Sequence, residues 1–153
     1  PIPAEIVERI IAAQNYLAAY LNVRQLSFGL TDMAWHTITE PFEGDVEQFE
    51  VASMAPSQVQ PVVPGTAMAP AFGHIFSGGY AAGYYGYKWA EVLEADAFSL
   101  FKEKGIFNRE VSGSFRENIL SKGGTEHPME LYVRFRGHKP ETKALIEKMG
   151  LGK

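Results

Sequence analysis

The chain contains no cysteine. Disulfides, thiolate nucleophiles and cysteine metal sites are therefore excluded, although the absence leaves both reducing and oxidising compartments open. No apolar run is long enough to span a bilayer as a helix, and the opening "PIPAEIVERI" lacks the basic-then-apolar order of a signal peptide. Positive charge is also in short supply. Fourteen Lys and Arg stand against 18 Asp and Glu, for a net charge of -4. With no basic run or arginine stripe, nothing supplies a phosphate footprint, so neither nucleic acid nor membrane is expected as a partner. What is present is ordinary for a globular protein: 153 residues, 46% apolar and 21% charged, enough for one domain with a core.

The pattern is helical nearly throughout, and the expected fold class is all-α. Ile6, Ile10, Ala13, Leu17 and Leu21 recur at three- and four-residue steps and predict one apolar helix face, with Pro3 at the first helical position. "VRQLSFGLTDMAWHTI" reads as a second helix. Asp45 followed by Gln48 forms a capping-box start. Pro56, Pro61, Pro64, Gly65 and Pro70 then predict a long irregular loop over about 56–79. Beyond it, the longest helix is expected to run from the tyrosine-rich stretch to Lys104, closed by Gly105. Asn108 caps the next helix, and Pro128 and Pro140 open the last two. Residues 1–153 are read as a single helical domain.

The most distinctive stretch is "FGHIFSGGYAAGYYGYKW", residues 72–89, where Tyr80, Tyr84, Tyr85 and Tyr87 crowd among glycines beside His74. If a helix begins near Gly79, then Tyr80, Tyr84 and Tyr87 stand at i, i+4 and i+7 on one face, with Gly79, Gly83 and Gly86 one residue behind. Tyr85 and Trp89 then point elsewhere and read as core. Each glycine costs a helix interior ~1 kcal/mol relative to alanine, so the run implies close backbone packing or a need to flex. Two readings of the tyrosines stay open. They are half-buried aromatics with satisfied hydroxyls, or they are a row of phenol donors facing a cleft, neutral at pH 7 because the ordinary phenol pKa is ~10.

Other chemistries find little support. Of His36, His74, His127 and His138, no two are spaced i, i+4, and "HExxH" is absent. The His36–Glu40 pair is cut off by Pro41, so His36 reads as packed or capping, while His127 and His138 read as exposed. Ser77 has no obvious base partner. "GGYAAG" follows no strand and does not match a dinucleotide fingerprint.

The stretch resembles the thimet oligopeptidase and neurolysin family of zinc metallopeptidases, with the peptidyl-dipeptidase (Dcp-type) branch the nearest match. The strings that carry the resemblance are "FGHIFSGGYAAGYYGYKWAEVLEADAFSLF", "GIFN", "FRENILSKGG" and "PMELYVRFRG", with "RQLSFGLTDMAWHT" and "DVEQFE" upstream. Together they cover the chain from about Ala4 to Leu151. The resemblance implies a glycine-tyrosine loop lining a substrate channel. Carried over by position, Tyr80 and Tyr87 are the catalytic donors to the tetrahedral intermediate. His74, Tyr84 and the double glycine Gly78–Gly79 contact the peptide. The six-residue step from His74 to Tyr80 suits the dipeptide-releasing branch.

The family's zinc motif is missing, which implies a C-terminal fragment of a larger metalloprotease. Zinc is expected in the parent and none in this fragment, which should be inactive alone. The expected partners are an oligopeptide substrate and the missing N-terminal part of its own chain, with self-association through apolar faces left unpartnered. The expected location is the cytoplasm, with the periplasm left open. The alternative is a stand-alone helical module that binds peptides or a protein through the Tyr80/Tyr84/Tyr87 face, without chemistry.

Overall fold

A computed structural model describes residues 1–152. Among them are eight α-helices and no strand, the all-α class expected: α1 Ala4–Ala13, α2 Ala18–His36, α3 Val46–Met54, α4 Gly73–Phe76, α5 Gly86–Lys104, α6 Arg109–Phe115, α7 Pro128–Arg136 and α8 Lys143–Lys148. No helix among the described residues is long and apolar enough to cross a membrane. The chain falls into two compact units, Pro1–Lys88 and Trp89–Lys153.

Local chemistry sets most boundaries. Asp45 accepts the N–H of Gln48 at 2.9 Å and starts α3, and Asn108 accepts from Glu110 and Val111 to start α6; both satisfy N–H groups left free in a first turn. Pro128 occupies the first turn of α7, where the ring Nδ1 of His127 accepts from Met129. Gly105, at φ +102, ends α5 in a conformation that other residues rarely adopt.

Four boundaries differ from the sequence reading. The apolar stripe of the first helix is broken. Residues 14–17 form turns, Leu17 sits at φ 57, and α1 buries none of its residues. Asn15 is a poor helix former, and no packing compensates for it. Helix α5 starts at Gly86, not near Gly79, because the backbone N–H groups of Ala82 and Tyr84 are taken by the side chain of Asp32. Tyr85 therefore precedes the helix and is 60% exposed, and Trp89 is 44% exposed, so neither is core. The loop is less irregular than expected. Short 3-10 turns at Ala55–Ser57 and Ala69–Ala71 place Pro56 and Pro70 where a missing N–H costs nothing. Finally, α8 begins at Lys143, three residues beyond Pro140.

In the first unit, α2 packs on α3, with Thr31 and Ser53 hydroxyls 3.1 Å apart. Two carboxylates are buried there. Glu50 accepts from the backbone of Met68 and Ala69, and Asp32 holds the tyrosine-rich turns. The second unit is built on Val92, Ala95 and Leu145. Within it, buried Asp96 accepts a 2.5 Å hydrogen bond from the Tyr132 hydroxyl, and Arg136 donates to the Asp96 backbone oxygen at 3.0 Å.

Candidate functional site

Tyr80, Tyr84, Tyr87 and His74 form one cluster in the first unit. The rings of Tyr80 and Tyr87 stack with centroids 5.0 Å apart, Tyr84 lies 5.2 Å from Tyr87, and His74 lies 5.0 Å from Tyr80. The helical spacing expected of the three tyrosines is not what unites them. Only Tyr87 stands on α5, while Tyr80 and Tyr84 lie in the preceding turns, closed by Gly83 N–H to Tyr80 O and Tyr87 N–H to Tyr84 O.

Below the cluster, Phe28 of α2 and Phe72 meet Tyr84 edge-on at 5.9 and 5.4 Å. The Tyr84 hydroxyl donates to Oε1 of Gln25 at 2.9 Å. Tyr84 is therefore an anchored ring whose proton is already committed. Burial raises its phenol above the ordinary value, opposed by the Arg24 guanidinium and the Gln25 bond. Tyr80 and Tyr87 differ from it in being 40% and 39% exposed.

The Tyr87 hydroxyl lies 2.9 Å from Nε2 of His74. The neighbouring Tyr80 hydroxyl, with burial and the Tyr80 and Tyr84 phenols adding to it, pushes the Tyr87 phenol up to about 12. Tyr87 thus stays protonated, and a hydrogen-bond donor, throughout the neutral range. Beside it opens a cleft of about 370 Å³ lined by Gln25, Leu26, Leu30, Met33, Tyr84 and Tyr87. A half-exposed, protonated Tyr87 at the edge of an apolar cleft, with the Tyr80 ring stacked on it, is suited to hydrogen-bonding an oxygen that gains negative charge.

The double glycine has one defined role. A side chain at Gly78 would meet the His74 carbonyl oxygen at 2.8 Å, whereas one at Gly79 would meet nothing within 4 Å. Gly78 lets its own N–H reach the Gly73 carbonyl at 3.0 Å and fold the turn that presents His74.

His36 is not near Glu40 in any metal-binding sense. Its Nδ1 lies 2.8 Å from Oδ1 of Asp32. Among the described residues no three His, Asp or Glu side chains stand close enough together to hold a metal ion. The described residues therefore do not form a zinc site. The sequence reading missed Gln25, Asp32 and Glu50. For Gln25 and Asp32 a signal exists: with Phe28 they stand at i, i+3 and i+7 on α2, and Asp32 is the lone charge in "LSFGLTDMAW".

A family model described as Peptidase family M3 matches residues 1–151. The chain belongs to peptidase family M3. Among M3 relatives, it is 48% identical to oligopeptidase A of Escherichia coli (strain K12) over 154 residues, covering 99% of this chain and 22% of that protein. It is 36% identical to the dipeptidyl carboxypeptidase of Salmonella typhimurium over 152 residues, covering 98% of this chain and 22% of that protein. It is 31% identical to the thimet-like oligopeptidase of Dictyostelium discoideum over 150 residues, with the same coverage of 98% and 22%. This M3 chain thus spans about a fifth of the length of the curated relatives it matches.

Proposed function

We propose that this chain supplies the substrate-binding, oxyanion-stabilising wall of a zinc-dependent peptidase that cuts oligopeptides. The observation that carries the reading is Tyr87, half-exposed at a cleft with Tyr80 stacked on its ring and His74 on its hydroxyl, in a chain of peptidase family M3. Hydrolysis of a peptide bond converts a planar carbonyl into a tetrahedral centre bearing a negative oxygen. Donors already in place for that oxygen gain strength as its charge grows and need no reorganisation. Tyr87 donates its phenolic proton to this oxygen, and Tyr80, stacked on it, offers the second donor. His74 holds the Tyr87 hydroxyl in register, and its ring meets the peptide at the exposed side of the cluster. Tyr84 fixes the platform, because its own proton goes to Gln25. Zinc and the groups that bind it belong, in this reading, to other parts of the peptidase.

Two cleavage patterns are compatible with such a wall. The six-residue step from His74 to Tyr80 favours release of C-terminal dipeptides. The higher identity to oligopeptidase A, 48% against 36% for a dipeptidyl carboxypeptidase, favours cleavage of oligopeptides without that restriction. A full-length peptidase carrying this sequence, offered one peptide with a free and with an amidated C-terminus, separates the two. Equal cleavage of both supports the oligopeptidase pattern, whereas cleavage of the free form alone, two residues from its end, supports dipeptide release. In the same enzyme Tyr87→Phe, which deletes only the donor, should lower kcat by about 100- to 1000-fold with the fold intact. A loss below about threefold would remove Tyr87 from the reaction.

A further inference from the structure

One face of α2 grips the tyrosine cluster at three successive levels. Gln25, Phe28 and Asp32 stand at i, i+3 and i+7, and each touches Tyr84. Gln25 takes its hydroxyl at 2.9 Å, Phe28 meets its ring, and Asp32 Oδ2 accepts its backbone N–H at 2.8 Å. The other oxygen of Asp32 accepts the N–H of Ala82 at 2.9 Å and faces His36 Nδ1 at 2.8 Å. Asp32 is wholly buried. A carboxylate there is costly unless its lone pairs are filled, and here two backbone donors and an imidazole fill them. Between its two backbone partners the chain passes through Ala82 and Gly83. Ala82 is held at φ 52, a left-handed conformation that a residue with a Cβ adopts only when its surroundings enforce it.

From this geometry we infer that Asp32 and Gln25 are positioning residues that fix the Tyr80–Tyr87 donor pair. They do so by clamping the backbone and the hydroxyl of Tyr84 between the two donors. Neither residue lies among those that the sequence pointed to as substrate contacts. Their importance for cleavage rests on the oxyanion reading above, but the clamp itself does not. Without it, the turns over 78–85, rich in glycine and holding no helix, keep turn hydrogen bonds and ring contacts but lose their hydrogen-bonded anchor to α2. Donors on a mobile turn pay an ordering cost each time a substrate binds, and the benefit of having them pre-placed is lost.

Amide hydrogen exchange on the 153-residue chain reads the clamp without any assay of activity. In Asp32→Asn one acceptor becomes an NH2 group facing a backbone N–H. The Ala82 and Tyr84 amides are expected to exchange at least about tenfold faster, while those of α3 keep their rates. Gln25→Leu keeps the buried carboxylate, so it carries the test should Asp32→Asn unfold. It is expected to loosen the Tyr84 ring, seen as weakened ring-to-ring NMR contacts with Phe28 and Tyr87. Exchange within about threefold of wild type in a folded Asp32→Asn protein, or unchanged ring contacts in Gln25→Leu, overturns the clamp.

In a full-length peptidase bearing this sequence, Asp32→Asn should lower kcat about tenfold or more with little change in KM. Combined with Tyr80→Phe and Tyr87→Phe together it should add almost nothing, because both donors it positions are already gone. Strictly additive losses would instead mean that Asp32 does not act through the tyrosines. Faster exchange with unchanged cleavage leaves the clamp standing but removes its role in placing the donors, whereas unchanged cleavage in Tyr87→Phe removes the oxyanion reading. Unchanged exchange removes the clamp alone.

Discussion

Glu50 holds the proline-rich segment to the first unit, and the size of its contribution can be worked from its contacts. Its side chain, on a residue 8% exposed, accepts from Met68 N–H at 2.8 and 2.9 Å and from Ala69 N–H at 2.6 Å, 18 and 19 residues away in the chain. Nearby, Glu47 accepts from Gly65 at 2.9 Å, so two residues of α3 tie down the same segment. Glu50→Ala deletes two charge-assisted hydrogen bonds and leaves two N–H groups without an acceptor. Such bonds contribute about 1.5–3 kcal/mol each, and an orphaned buried donor costs about 1–3 kcal/mol. Water reaching the freed loop recovers part of this, so a net local loss of about 2–5 kcal/mol is expected. At about 1.4 kcal/mol per factor of ten, the lower bound alone speeds exchange of the Met68 and Ala69 amides about 30-fold. Glu50→Gln keeps one acceptor and should fall between the two. Hydrogen exchange resolved at these amides, alongside urea unfolding of the whole chain, is the assay. Rates within about threefold of wild type in Glu50→Ala would refute the anchoring role.

Two further outcomes concern titration. The Tyr132 phenol is raised above its ordinary value by burial and by its hydrogen bond to the Asp96 carboxylate, with Arg136 opposing. A folded value above the unfolded ~10 makes the contribution complete below pH ~10 and lost as pH climbs beyond it. Urea midpoints should therefore stay level to pH ~10 and then fall, and Tyr132→Phe should flatten the fall while lowering stability by about 1–3 kcal/mol at pH 8. The Tyr87 phenol, held up to about 12 by the Tyr80 hydroxyl first and burial second, should ionise among the last in an ultraviolet titration. Tyr80→Phe should bring that step down toward ~10, and no shift would mean the two hydroxyls are uncoupled.

The helical class and most helix ends were legible because local rules decide them: Asp45 and Asn108 as caps, Pro128 in a first turn, and Gly105 past a last one. The first apolar stripe misled because periodicity says which residues share a face, not whether anything packs on it. Residues 14–17 have nothing to hold them helical, and the stripe breaks at Leu17. The tyrosines were grouped correctly on a wrong premise. Tyr80 and Tyr84 meet Tyr87 through turns, and those turns exist because Asp32, about fifty positions earlier in the chain, captures two of their amides. Pairing over that distance depends on tertiary structure, and no local pattern announces it. The same holds for Glu50 and its partners at Met68 and Ala69.

Whether Tyr87 serves the tetrahedral state rather than the substrate can be read in one comparison. The most direct measurement compares, in a full-length peptidase bearing this sequence, the affinity for a phosphinic peptide that mimics the tetrahedral centre with the kcat/KM for the matching substrate, in wild type and Tyr87→Phe. Both quantities should fall by the same factor, about 100-fold or more, while the affinity for a non-cleavable planar analogue changes little. A phosphinic peptide that binds Tyr87→Phe as tightly as wild type would contradict it.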